Sequence, residues 1–122
     1  MEGNLKVLVV DNELAMHGFV RGAINEICPH PLLTRTAEEG LRLARVHHPD
    51  VVVIDTDLSG LNGFQLLADL RQEPNLHIIV TSRKWSADDR NHAIQAGAND
   101  YLLKPFFTEE LREKIQSRAF TS

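Results

Sequence analysis

Val51-Val52-Val53-Ile54-Asp55-Thr56-Asp57 is a run of four β-branched apolar residues that stops abruptly on two acids. A short, wholly apolar run of this kind reads as a strand buried on both faces, as in a parallel sheet covered by helices above and below. Leu5 to Val10, Ile78 to Val80 and Tyr101 to Leu103 repeat the pattern. A weaker strand is expected near Pro31 to Thr34, where proline confines it to an edge or a late start.

The intervening segments carry helical spacing. From Leu14 to Ile27, the i, i+4 steps place Ala15, Phe19, Ala23 and Ile27 on one inward stripe. Thr36-Ala37-Glu38-Glu39 opens the second helix with a capping-box pattern, and Ala37, Leu41 and Ala44 turn inward. The third runs from Gly63 to about Arg71, burying Phe64, Leu67 and Leu70, and Pro74 forbids its continuation. A fourth starts after Ser86 and ends at Gly97, and a fifth starts at Thr108 with Leu111 and Ile115 inward. Strand and helix thus alternate five times, which calls for an α/β fold: a doubly wound, three-layer sandwich with a five-stranded parallel sheet at its centre.

Composition agrees with one domain. The chain has 122 residues, 43% of them hydrophobic and 25% charged, the balance of an ordinary globular protein. Its apolar runs fall well short of the roughly 20 residues of a membrane span, and Met1 to Lys6 lacks the features of a secretory leader. A cytoplasmic location without membrane contact is expected, and the lone Cys28 suits a reducing compartment. Seventeen acids against 13 Lys and Arg argue against direct nucleic-acid binding. The six histidines show no paired metal-ligand spacing.

In such sheets, chemistry gathers outside the carboxyl ends of the strands, where strand order reverses. Those ends carry Asp11-Asn12-Glu13, Asp55-Thr56-Asp57, Thr81-Ser82 and Lys104-Pro105. Acids brought together there repel one another unless a cation or a shared proton intervenes. A hard divalent ion such as Mg²⁺ suits carboxylates plus phosphate oxygens. With an ammonium from Lys104 and a hydroxyl from Thr81 or Ser82, the set describes phosphoryl transfer to a carboxylate.

The runs Val7 to Glu13, Val51 to Gly63 and Ala96 to Phe106 resemble the receiver domains of response regulators, the CheY-like superfamily, over essentially the whole chain. The resemblance implies a (βα)5 flavodoxin-like fold with strand order 2-1-3-4-5, and a two-component signalling role. It implies Asp55 as the phosphoacceptor, served by a histidine kinase or a histidine phosphotransfer protein. Asp11 and Asn12 match the acidic pair that holds Mg²⁺ with Asp55, and Asp57 matches the position that offers a backbone carbonyl to the ion. Lys104 matches the lysine that pairs with phosphoryl oxygens, usually followed by a cis proline. Tyr101 matches the aromatic switch position. The fourth helix, fifth strand and fifth helix, with Arg90, Asp100, Glu110 and Lys114, match a face that many relatives use to form homodimers.

Two departures stand out. Asn12 removes a charge from the ion site, so weaker Mg²⁺ binding is expected, and Ser59 replaces a common proline. The switch hydroxyl stays open between Ser82, which needs no gap, and Thr81, which leaves a small neighbour and needs one extra loop residue. Trp85 is a candidate partner anchor in the loop after the fourth strand. Two competing functions remain: a degenerate receiver acting as a phosphorylation-independent interaction module, and a Mg²⁺-dependent phosphohydrolase of the haloacid-dehalogenase type, whose opening motif Val52 to Asp57 resembles.

Overall fold

A computed structural model describes residues 5–58, 63–84 and 86–120. Ser59 and Trp85 lie outside the described residues. The strands are β1 (Val7–Val10), β2 (Leu32–Thr34), β3 (Val51–Asp55), β4 (His77–Ser82) and β5 (Asp100–Leu103). They alternate with α1 (Leu14–Ala23), α2 (Ala37–His47), α3 (Gly63–Leu70), α4 (Ala87–Gln95) and α5 (Thr108–Gln116), and a short 3-10 turn follows α5. All neighbouring strands pair in parallel, in the order β2-β1-β3-β4-β5. β1 therefore has β2 on one side and β3 on the other, which makes the β1–β3 boundary the point where strand order reverses.

The pleat divides the core in two. Leu8, Val10, Val52, Ile54, Ile78 and Val80 point to one face and pack with Ala37, Ala44, Leu66, Leu67, Leu70 and Ala93 of α2, α3 and α4. Val7, Val9, Val51, Val53, Ile79 and Leu102 point to the other and meet Val20, Ala23, Leu111 and Ile115 of α1 and α5. Both faces of β3 and β4 are fully covered, as the unbroken apolar runs require.

The first helix departs from expectation. It ends at Ala23 instead of Ile27, and its buried residues are His17, Val20 and Ala23, while Ala15 is exposed. The buried stripe is rotated from the expected one: it steps by three from His17 to Val20 to Ala23 and admits a histidine. Phe19 lies at its margin, set edge-on against buried Phe106 at 5.6 Å between ring centres.

The other helices start where their caps dictate. Thr36 Oγ accepts the Glu39 N–H and Ser86 Oγ accepts the Asp89 N–H, each satisfying a free first-turn donor. The Glu39 side chain does not complete the reciprocal half of a capping box with Thr36; it pairs with Arg42. Glycine is required at the start of α3, because a Cβ on Gly63 would stand 2.7 Å from Thr56 Cα and 2.8 Å from the Asp55 carbonyl. That helix is thereby seated directly against the backbone at the end of β3.

Candidate functional site

The same pleat explains which side chains meet. Asp55 continues the Val51, Val53 face of β3, Asp11 stands one same-face step beyond Val9, and Lys104 one beyond Leu102. All three therefore emerge at the carboxyl edge on the α1/α5 side. Lys104 Nζ donates to Asp11 Oδ2 at 2.8 Å and to Asp55 Oδ2 at 3.0 Å. A third contact reaches Glu13 Oε1 at 3.3 Å. Asp11, Asp55 and Lys104 are each no more than 4% exposed.

The remaining carboxylate oxygens are held by the local backbone. The Glu13 N–H donates to Asp11 Oδ1 at 2.9 Å and the Asp57 N–H to Asp55 Oδ1 at 3.0 Å. His17, buried on α1, lies with Nε2 2.7 Å from the Asp11 carbonyl oxygen. Since a carbonyl only accepts, Nε2 is the protonated nitrogen in this contact. Lys104 is followed by Pro105 through a cis peptide bond, as the resemblance implied.

The electrostatics follow from this packing. Burial raises the Asp11 pKa, and the hydrogen bond from Lys104 offsets that only in part. Burial also opposes charge on Lys104, but hydrogen bonds to Asp11 and Asp55 outweigh it, so its pKa lies above the ordinary lysine value. Glu13 is held below the ordinary range by hydrogen bonds, first from Arg83 and then from Lys104.

Thr81 is the in-register partner of Asp55 across β3 and β4. Neighbours in register point to the same side of a sheet, so Thr81 lies on the Asp55 side and Ser82 on the opposite one. Thr81 Oγ1 is 3.5 Å from the Ile54 carbonyl, and Ser82 Oγ accepts the Lys84 N–H at 3.0 Å. Tyr101 packs partly against the α2/α3/α4 core, and its hydroxyl donates to the Lys84 carbonyl at 2.9 Å. Asn12 is half-buried, and its backbone carbonyl accepts from Arg35 Nε at 3.2 Å. The cap position of α1 is Glu13, without a side-chain cap bond, so Asn12 does not serve as the cap. The Asp57 side chain is exposed.

Two contributors had no role assigned from the sequence, although Glu13 stood among the acids expected at the strand ends. Glu13 joins Asp11 and Asp55 in a cluster in which one carboxylate oxygen from each lies within 4.8 Å of the others. Arg83, just beyond the end of β4, reaches Glu13. The signal for Glu13 was its place two residues beyond Asp11, at the turn into α1. Nothing in residue spacing announces a contact between Glu13 and Arg83, which are 70 positions apart.

An open parallel sheet with three carboxylates and a buried lysine converging at its strand-order switch defines a class of phosphoryl-handling α/β modules. The chain belongs to the response regulator receiver domain family, whose model matches residues 7–116. Among curated proteins it is similar to the KDP operon transcriptional regulatory protein KdpE of Escherichia coli, with 34% identity over 90% of this chain and 49% of that protein. It is 33% identical to the transcriptional regulatory protein CiaR of Streptococcus pneumoniae over 93% of this chain and 50% of that one. The chain spans about half the length of these relatives.

Among solved structures, the receiver domain of the Francisella response regulator 1452 matches with a TM-score of 0.87 and 30% identity, covering 98% of this chain and 100% of that one. The signal receiver domain of NarL from Mycobacterium tuberculosis gives 0.90 over 99% and 100% of the two chains; its 22% identity speaks to the fold alone. The chain is thus a receiver domain of a two-component response regulator. Among the described residues, no helix is long and apolar enough to cross a membrane.

Proposed function

We propose that Asp55 is the residue that takes the phosphoryl group, delivered by a histidine kinase or a histidine phosphotransfer protein. The observation that carries this reading is the contact of Lys104 with both Asp55 and Asp11, all three residues being buried. Asp55 offers a carboxylate oxygen to phosphorus while the P–N bond of the donor breaks. The electron pair of that bond stays on the donor imidazole, and an acyl phosphate remains. Lys104, held protonated by its neighbours, pairs with the phosphoryl oxygens that its present carboxylate partners resemble in charge.

Thr81 is the proposed switch hydroxyl, supported by its register with Asp55, and Ser82 is assigned to the backbone of the following loop. Tyr101 is the proposed aromatic reporter, since its hydroxyl bonds that same loop at Lys84.

Mg²⁺ is the proposed ion. The converging oxygens of Asp11, Glu13 and Asp55 are hard donors of the kind it prefers, and burial leaves Asp11 short of compensating charge. The Asp57 carbonyl and the Asn12 amide are further candidate ligands. Bound there, the ion would screen the carboxylates from one another and from an incoming phosphoryl group. Output passes through the surface of α4, β5 and α5, by a shift in population towards a shape the phosphoryl group favours. A homodimer through that face is part of the proposal; Lys114 and Asp100 within it already form an ion pair of 3.2 Å inside one chain. A DNA-binding segment joined to the module, suggested by the transcriptional regulators that are twice its length, would supply any nucleic-acid contact.

The test is incubation with acetyl phosphate or a phosphohistidine protein, with and without Mg²⁺. A stoichiometric, hydroxylamine-labile phosphoprotein that needs Mg²⁺ and is lost in Asp55→Asn is expected. Steady turnover of phosphomonoesters would point to the phosphohydrolase instead, and no adduct from either donor to the phosphorylation-independent module.

A further inference from the structure

Arg83, immediately after β4, stretches over the rim of the site. Its Nη2 lies 2.9 Å from Glu13 Oε1 and 2.7 Å from Glu13 Oε2. Glu13 Oε1 in turn contacts Lys104 Nζ, which holds Asp11 and Asp55. The result is one unbroken alternation of charge from solvent to the buried carboxylates. Three carboxylates face two cations, so most of the charge a divalent ion would balance is already balanced by side chains.

This arrangement does little for the fold. The Arg83 side chain is 58% exposed and that of Glu13 39%, and ion pairs this wet contribute little to stability. Its consequence is local to the site. A Glu13 carboxylate with both oxygens engaged by a guanidinium is not free to turn towards an ion, and the cation itself repels another. Glu13 is also the acid best able to replace the charge missing at Asn12, which makes its occupation matter more.

We propose that Arg83 is a positioning residue that acts through Glu13, an internal counter-ion that competes with the divalent cation and sets its affinity. The inference rests on the reading of the site as a Mg²⁺-dependent phosphoacceptor. Release of Glu13 by Arg83 accompanies ion binding, and Arg83 returns when the ion leaves.

Calorimetric titration of Mg²⁺ into the 122-residue chain and into Arg83→Ala, Glu13→Gln and the double variant tests it directly. Arg83→Ala is expected to bind Mg²⁺ about two- to fivefold more tightly than the parent, the range of exposed ion-pair energies. The gain should shrink in high salt. In the Glu13→Gln background the same substitution should gain clearly less, because the two residues are coupled. Equal or weaker binding by Arg83→Ala overturns the proposal, as does an undiminished gain without Glu13. If the parent binds Mg²⁺ and forms the Asp55 adduct while either of these results is obtained, only the role of Arg83 falls. If no chain binds Mg²⁺, the ion-dependent reading falls with it.

Discussion

Lys104 is the residue on which the site balances, because its one ammonium is shared by two buried carboxylates and a third at the rim. Lys104→Met should lower stability by about 3 kcal/mol in metal-free buffer, the usual cost of leaving buried charge unpaired. Saturating Mg²⁺ should recover much of that loss, and urea unfolding with and without the ion measures both. Asp11 behaves in the opposite sense. Its folded pKa is raised above 3.8 by burial, so the ionised side chain costs stability. Relative to the parent, Asp11→Asn should gain nothing below the ordinary value of 3.8 and gain fully once the pH exceeds the raised folded value. Equilibrium unfolding at a series of pH values without divalent ions follows this gain, which Mg²⁺ should erase by stabilising the parent alone. Asp11, Asp55 and Lys104 were legible in the sequence because each ends a recognisable strand. The contacts of Glu13, His17 and Arg83 were not, because they depend on which way a loop or helix face turns after the strand has ended.

Among the elements, α3 and the connection from α4 to β5 are each seated by a glycine. Gly63→Ala would drive a methyl group into the backbone of Asp55 and Thr56. A loss of about 1–3 kcal/mol is expected, as for other overpacked positions, together with slower phosphorylation of Asp55. Thermal unfolding and the rate of adduct formation, measured on one preparation, check both. Gly97, at φ +121°, accepts a hydrogen bond at its carbonyl from Arg71, which also binds the Leu76 carbonyl and Asn99 Oδ1. Arg71→Ala leaves those acceptors short and should cost about 1–3 kcal/mol in urea unfolding with little effect on the adduct. The breaks at glycine and the caps at Thr36 and Ser86 were readable as local signals. The inward face of α1 was not: the apolar count favoured Ala15 and Phe19, whereas the fold buries His17, whose ring bonds the Asp11 carbonyl. A polar side chain is admitted to a core where a backbone acceptor waits for it, and no periodicity reveals that acceptor.

For the whole molecule, the buried edge of the sheet makes stability depend on pH. His77 opens β4, is 7% exposed, and has Nε2 without a hydrogen-bond partner. Burial, its largest influence, pulls its pKa below 6.5 despite the nearby Asp100. The neutral ring is therefore favoured in the folded state. The associated stability is present above pH 6.5 and is lost as pH falls towards and through the lowered folded value. Unfolding free energies between pH 7 and 5 should show this fall, and His77→Gln should flatten it. At the other rim, the proposed function requires a single acyl phosphate where β1, β3 and β5 bring their charged residues together. Borohydride reduction after exposure to a phosphohistidine donor and Mg²⁺, followed by peptide sequencing in a mass spectrometer, locates that group directly. Conversion of Asp55 alone to homoserine is the expected result; conversion of another acid, or of none, would contradict the account.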